Sequence, residues 1–229
     1  MSTPRNRTSA ADVPRDAYHH GALREALIAA AEAVLAERGL EGFSLREVAR
    51  RSGVSPAAPA HHFGDAEGLL AAVATLAFDG LTAALKAGDE RGGSDPVAQL
   101  REQGLGYVGF ALKHPGRFGL MFRCEGYKSE ALAQSGRAAY GVLEAGVRRL
   151  CRVLEGAELT PAQQQSLLAI WSVVHGFAHL ALAGQFDSLL PARGREAALR
   201  GLLAPLLEQQ LQALRPVRPL RRRRLGAEK

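Results

Sequence analysis

Residues 44–63 read SLREVARRSGVSPAAPAHHF, and the rest of the chain is organised around this stretch. Ser44 with Glu47 three positions on is a capping box, which predicts a helix from Leu45 to Arg51. Leu45, Val48 and Ala49 share one face of that helix, while Arg46, Arg50 and Arg51 point elsewhere. Gly53 supplies the backbone freedom that a sharp turn needs. Ser55 as N-cap and Pro56 at the first helical position then restart a helix, because proline's missing N–H costs nothing there. The small Ala49, Gly53 four positions later and the apolar Val54 let two helices cross closely. Such turn chemistry serves an ordinary helical hairpin as well as a helix-turn-helix whose second helix enters a DNA major groove. The pattern alone leaves both open.

The flanks separate them. Residues 18–74 read YHHGALREALIAAAEAVLAERGLEGFSLREVARRSGVSPAAPAHHFGDAEGLLAAVA. This run closely resembles the N-terminal domain of TetR/AcrR-type transcriptional regulators. The match is carried by RGLEGFSLREVARRSGVS, by the HHF that closes the second helix, and by GLLAAVA opening the next. It covers roughly the first third of the chain. The resemblance implies double-stranded DNA as partner, with Ser55, Pro56, Ala57, Ala58 and His61 along the groove-facing side of the recognition helix. His62 would stand near a phosphate, and Arg46 or Arg50 would add sequence-independent affinity. The chain departs from the family at two positions. Ala60 stands where a tyrosine is common, and Ala66 where a lysine commonly reaches a phosphate.

With 229 residues the chain is long enough to bury a sizeable core. Ala and Leu prevail over Val, Ile and Thr, which favours helix over sheet. The net charge of +6 belongs to the tail: residues 215–229 hold seven of the 29 basic residues and one of the 23 acidic ones, leaving 22 of each elsewhere. Two cysteines, Cys124 and Cys151, are too few for a disulfide scaffold and read as free thiols in a reducing cytosol. Residues 1–16 are polar and lack a signal peptide, so a cytoplasmic protein is expected. The most apolar run, Leu167 to Ala183, carries His175 and His179, which argues for a buried helix and no membrane span.

In chain order, residues 1–17 read as a disordered arm, whose Arg5, Arg7 and Arg15 suit phosphate contacts or mere solubility. Residues 18–64 read as a three-helix DNA-binding domain. Its first helix, Gly21 to Arg38, carries the stripe Leu23, Leu27, Ala30, Val34 and Leu35, and Phe43 plugs the core. Asp65 caps a fourth helix to about Gly88, burying Leu69, Leu70, Val73, Leu76 and Leu81. Residues 89–94, DERGGS, read as a linker. Asp95-Pro96 starts a helix to Lys113, a short segment follows Pro115, and another helix spans about Ser129 to Leu154. Thr160-Pro161 opens the helix holding Trp171. A last helix runs from Arg195 to Leu214, where Pro205 predicts a kink or break. Residues 65–214 thus form a larger helical regulatory and dimerisation domain, and 215–229 a basic disordered tail. The fold class is all-α, with about nine helices and no strands.

No phosphate-binding glycine loop and no nucleophile in a familiar setting occurs, so no enzyme is expected. The glycines at 104, 106 and 109 sit inside a helix pattern, where close packing accounts for them. His175 and His179 lie one turn apart on one face, but no neighbouring carboxylate completes a metal site, and no cofactor is expected. WSVVHGFAHLAL (171–182) and HPGRFGLMF (114–122) resemble one group of TetR-type C-terminal domains with a Trp-His-Gly motif. That resemblance implies a homodimer enclosing a pocket for a small-molecule effector. The aromatic residues then nominate Phe110, Phe118, Met121, Phe122, Tyr140, Trp171 and His175 as its lining, although a plain core role for Trp171 and His175 fits the same pattern. The expected function is a ligand-responsive repressor on a palindromic operator, released by a hydrophobic effector. A partner-binding protein on a regulator scaffold and a small helical enzyme are the alternatives.

Overall fold

The computed structural model describes residues 15–123, 127, 129–191 and 193–214, with side chains from Gly21 onward except that of Ala213, and these residues contain nine α-helices, one 3₁₀ turn and no strand. The N-terminal arm before Arg15, the side chains of His19 and His20, Cys124 and the basic tail lie outside them.

The head consists of α1 (Arg15–Arg38), α2 (Leu45–Arg51), α3 (Ala58–Phe63) and the first half of α4 (Ala66–Gly92). Leu27, Val34 and Leu35 of α1, Val48 of α2, and Leu69, Leu70 and Val73 of α4 meet in its core, with Phe43 and Val54 packed on them. Helix α1 starts at Arg15 rather than Gly21, because its first residues, RDAYHH, carry no apolar stripe for periodicity to detect. In α2, Ser44 Oγ accepts the Glu47 N–H at 3.3 Å. The second half of the capping box is not made. The Glu47 carboxylate is held by Arg50 and Arg51 instead, and charged donors outcompete a neutral amide.

Helix α4 runs to Gly92, past its predicted end, and absorbs most of the expected linker. Asp89 is tied to Arg149 and Gln103, and these bonds hold the last turn helical. Leu76, expected inside, is 41% exposed.

The body adds α5 (Pro96–Lys113), α6 (Pro115–Met121), α7 (Glu130–Cys151), α8 (Pro161–Leu182) and α9 (Arg195–Ala213). Helix α7 stops three residues before Leu154, where Arg152 turns left-handed at φ 53° and caps the Arg148 and Arg149 carbonyls. Helix α9 passes through the exposed Pro205 without a break. Helix α5 is the central post, and two of its glycines permit that. A Cβ on Gly104 would lie 2.6 Å from Leu207, and one on Gly106 would lie 2.7 Å from the Ala84 carbonyl oxygen. Helices α4 and α8 have the length and apolar composition of a membrane span, and here their apolar sides build this core. The half-buried Cys151 is a free thiol.

Candidate nucleic-acid interface and ligand cavity

Gly53 makes the turn after α2 at φ 67°, and the Val54 N–H bonds back to the Ala49 carbonyl at 3.1 Å. The second helix begins later than Ser55-Pro56. Ala58 N–H bonds to the Ser55 carbonyl at 3.0 Å, closing a turn, so Ala57 is the N-cap and Pro59 occupies the first helical turn. Ser55, Pro56, Ala57, Ala60 and His61 are exposed, Ala58 and His62 are half-buried, and Pro59 is buried. The free face of α3 is therefore small and nearly uncharged. Arg24 lies over the Phe63 ring at 5.2 Å and covers the end of the helix. Ala66 is the first residue of α4, behind the Asp65 cap.

The arginines of α2 divide. Arg50 donates twice to Glu47, at 2.8 Å each time. Arg51 bridges Glu47 at 2.8 Å and Glu37 on α1 at 2.6 Å, and Arg38 approaches Glu47 at 3.3 Å. The hydrogen bonds from Arg50 and Arg51 hold the Glu47 carboxyl down at about 2. Arg46 is exposed and forms no ion pair among the described residues. Of the two nominated arginines, only Arg46 has an uncommitted charge.

A cavity of about 290 Å³ lies in the body. Helix α4 contributes Phe78, Leu81 and Leu85; α5 contributes Leu100, Gln103, Gly104 and Tyr107; α8 contributes Ile170, Trp171 and Val174. Met121 and Phe122 close it from α6, and Ala139, Tyr140 and Leu143 from α7. Tyr140, 43% exposed, stands edge-on to Trp171 with ring centroids 6.2 Å apart, so this pair faces the solvent side.

Met121, Phe122, Tyr140 and Trp171 thus stand together in the wall, and three nominated residues do not. Phe118 is fully buried behind it, against Tyr107 at 5.6 Å and Phe122 at 5.4 Å. Phe110 lies farther along α5, in the slot left by the missing side chain of Gly80. His175 packs on Phe122 at 4.6 Å, and its Nδ1 meets Tyr107 Oη at 2.8 Å. Burial and the neighbouring His179 hold the His175 imidazole below its usual range. Burial raises the Tyr107 phenol, with a hydrogen bond from Trp171 partly opposing it. Among the described residues no group of three or more His, Cys, Asp or Glu is arranged to hold a metal. Tyr107, Gln103 and the aliphatic wall were not legible as lining, since Leu, Ile and Val facing a cavity read like any core residue. Gln103 and Tyr107 do sit one turn apart on α5, which was the available signal.

Comparison with known proteins places this architecture. Residues 27–73 match the family described as bacterial regulatory proteins, tetR family, and residues 100–206 match the tetracyclin repressor-like C-terminal domain. A transcriptional regulator from Rhodococcus sp. RHA1 is 30% identical, over 81% of this chain and 96% of that one, with a TM-score of 0.58. The chain belongs to the TetR family. This TetR-family member is thus a transcriptional regulator with a helix-turn-helix DNA-binding domain, and not an enzyme. A protein of unknown function from Rhodococcus sp. RHA1 is 31% identical, over 87% of this chain and 98% of that one, with a TM-score of 0.72. The TetR family regulator PfmR from Thermus thermophilus shares the fold at 22% identity, over 81% of this chain and 95% of that one, with a TM-score of 0.61. No curated protein matches the chain.

Proposed function

We propose that this TetR-family regulator is a cytoplasmic repressor that binds a palindromic operator as a homodimer and leaves it when a small, mostly apolar molecule fills the cavity. One observation carries the reading: α6 belongs to the cavity wall and to the head at once. Met121 lines the cavity, Leu120 sits in the head core, and Arg117 bonds to Glu32 on α1 at 2.6 Å. Helix α4 repeats the arrangement, with Leu69 and Leu70 in the head and Phe78 and Leu81 at the cavity. A ligand that favours one placement of α6 and α4 biases the head spacing, provided it binds the two states unequally.

At the DNA, the exposed Ser55, Pro56, Ala57 and His61 face the groove, and Arg46 meets a phosphate. With side chains this small, base reading rests on apolar contacts and DNA shape. Two recognition helices in a dimer would stand about 34–36 Å apart, one turn of DNA. A dimer is supported by exposed leucines on adjacent helices, Leu168 and Leu180 on α8 and Leu202 and Leu206 on α9.

The test is to select DNA from a random pool with purified protein, then follow release of the selected fragment as apolar compounds are added. A two-fold symmetric consensus and ligand-dependent release are expected. Ala60 and Ala66 favour a second reading, a partner-binding protein on this scaffold. Failure to enrich any sequence would decide for it.

A further inference from the structure

No lysine occurs in the chain before Lys86, so the positive charge of the head rests on its arginines. Arg38, Arg50 and Arg51 are neutralised by Glu37 and Glu47. Among the described residues this leaves Arg46 and Arg24 without an acidic partner. Arg24 projects from α1 and is exposed, yet its position is fixed from the side. Its guanidinium carbon stands 5.2 Å from the centre of the Phe63 ring. A ring face attracts the cation without using its N–H donors, which stay available to an anion.

Phe63 is the last residue of α3. The N-terminal residues of a recognition helix are the ones that reach base edges, so its C-terminal end lies toward the sugar-phosphate backbone. The elements around that end carry no Lys or Arg of their own: α3 reads APAHHF, and α4 opens with AEGLL. Asp65 and Glu67 border the same recess as Arg24, but among the described residues no ion pair joins either to it. Asp65 caps its own helix instead, Oδ1 accepting the Gly68 N–H at 2.8 Å.

We propose that Arg24 is a phosphate contact of the head, carried by α1 to the end of the recognition helix. This rests on α3 docking in the major groove, and it adds a charge there that α3 and the start of α4 lack. The stack on Phe63 favours the contact, because a side chain already held in place loses less freedom on binding. Phosphate contacts position a protein without reading sequence. Arg46 from α2 and Arg24 from α1 together fix how the head sits, while the small side chains of α3 meet the bases.

The test uses the DNA fragment that the full-length protein enriches from a random pool, labelled with fluorescein and followed by anisotropy across salt. In Arg24→Met, which keeps an apolar stem on Phe63, the slope of log affinity against log salt should flatten by about 0.9 per protomer bound. Combined with Arg46→Ala it should flatten by about 1.8. Arg24→Lys keeps the charge and should keep the slope. A merely structural role would weaken Arg24→Met equally at every salt concentration, and that result would overturn the proposal. A slope flattened by Arg46→Ala and not by Arg24→Met would overturn it as well and leave the docking of α3 standing. Fragments with single phosphates replaced by uncharged methylphosphonates should locate the contact: at least one replacement should weaken the unaltered protein and not Arg24→Met. Replacements that weaken both proteins alike at every position would count against the contact. If no fragment is enriched, the docking reading falls and the Arg24 contact with it.

Discussion

Replacing Phe118 with alanine separates a core wedge from a cavity wall. Phe118 is fully buried, with aromatic rings at 5.6 Å and 5.4 Å and the His179 ring at 5.3 Å. A buried phenylalanine covers about 150–250 Å², which at about 25 cal/mol per Å² amounts to about 4–6 kcal/mol. Alanine keeps a little of this, so Phe118→Ala should cost about 3–5 kcal/mol. Tyr140, 43% exposed at the cavity, has far less to lose. The assay is urea unfolding at one fixed protein concentration, since a dimer's midpoint depends on concentration. With a slope of about 1–3 kcal/mol per molar urea, Phe118→Ala should lower the midpoint by at least about 1 M. Tyr140→Ala should shift it much less while still altering Trp171 fluorescence. A Phe118→Ala shift no larger than that of Tyr140→Ala would refute the placement of Phe118 behind the wall.

Arg46→Ala should flatten the salt dependence of operator binding by about 0.9 in slope, about 3.5-fold in affinity between 50 and 200 mM salt. Arg50→Ala should change it less, because Glu47 already neutralises that guanidinium; equal effects from gel shifts across salt would place both at phosphates. Ala66→Lys should steepen the same slope by about 0.9, and Ala60→Tyr should tighten binding by about 1 kcal/mol without changing it. If neither variant moves affinity or slope, α3 does not dock as proposed. Glu47 is held at about 2 by Arg50 and Arg51, below its unfolded value. Its contribution is therefore complete above about pH 4.3 and lost as pH falls through about 2. Acid unfolding of Glu47→Gln should show a shallower pH dependence in that window than the unaltered protein, and identical curves would refute the cluster's role.

The helix-turn-helix was legible because its signals are local. Ser44 caps α2, Gly53 takes a positive φ that few other residues tolerate, and the apolar stripe of α1 needs no knowledge of what it packs against. The starts of α4, α5 and α8 were read for the same reason, each from an Asp or Thr placed before its helix. Whatever depended on a distant partner was not legible. Residues 89–92 look like a linker until Arg149, 60 positions on, binds Asp89. Glu47 reads as half of a capping box until folding brings arginines from two helices to it. Phe118 and Met121 differ by less than one helical turn, yet one lies behind the cavity wall and the other in it. Gln103 looks like a solvent-facing residue, and only the approach of α4 and α7 encloses it and orients its amide. Local backbone preference determines where helices begin and turn, whereas a cavity is the space left between helices, set by side chains far apart in the chain.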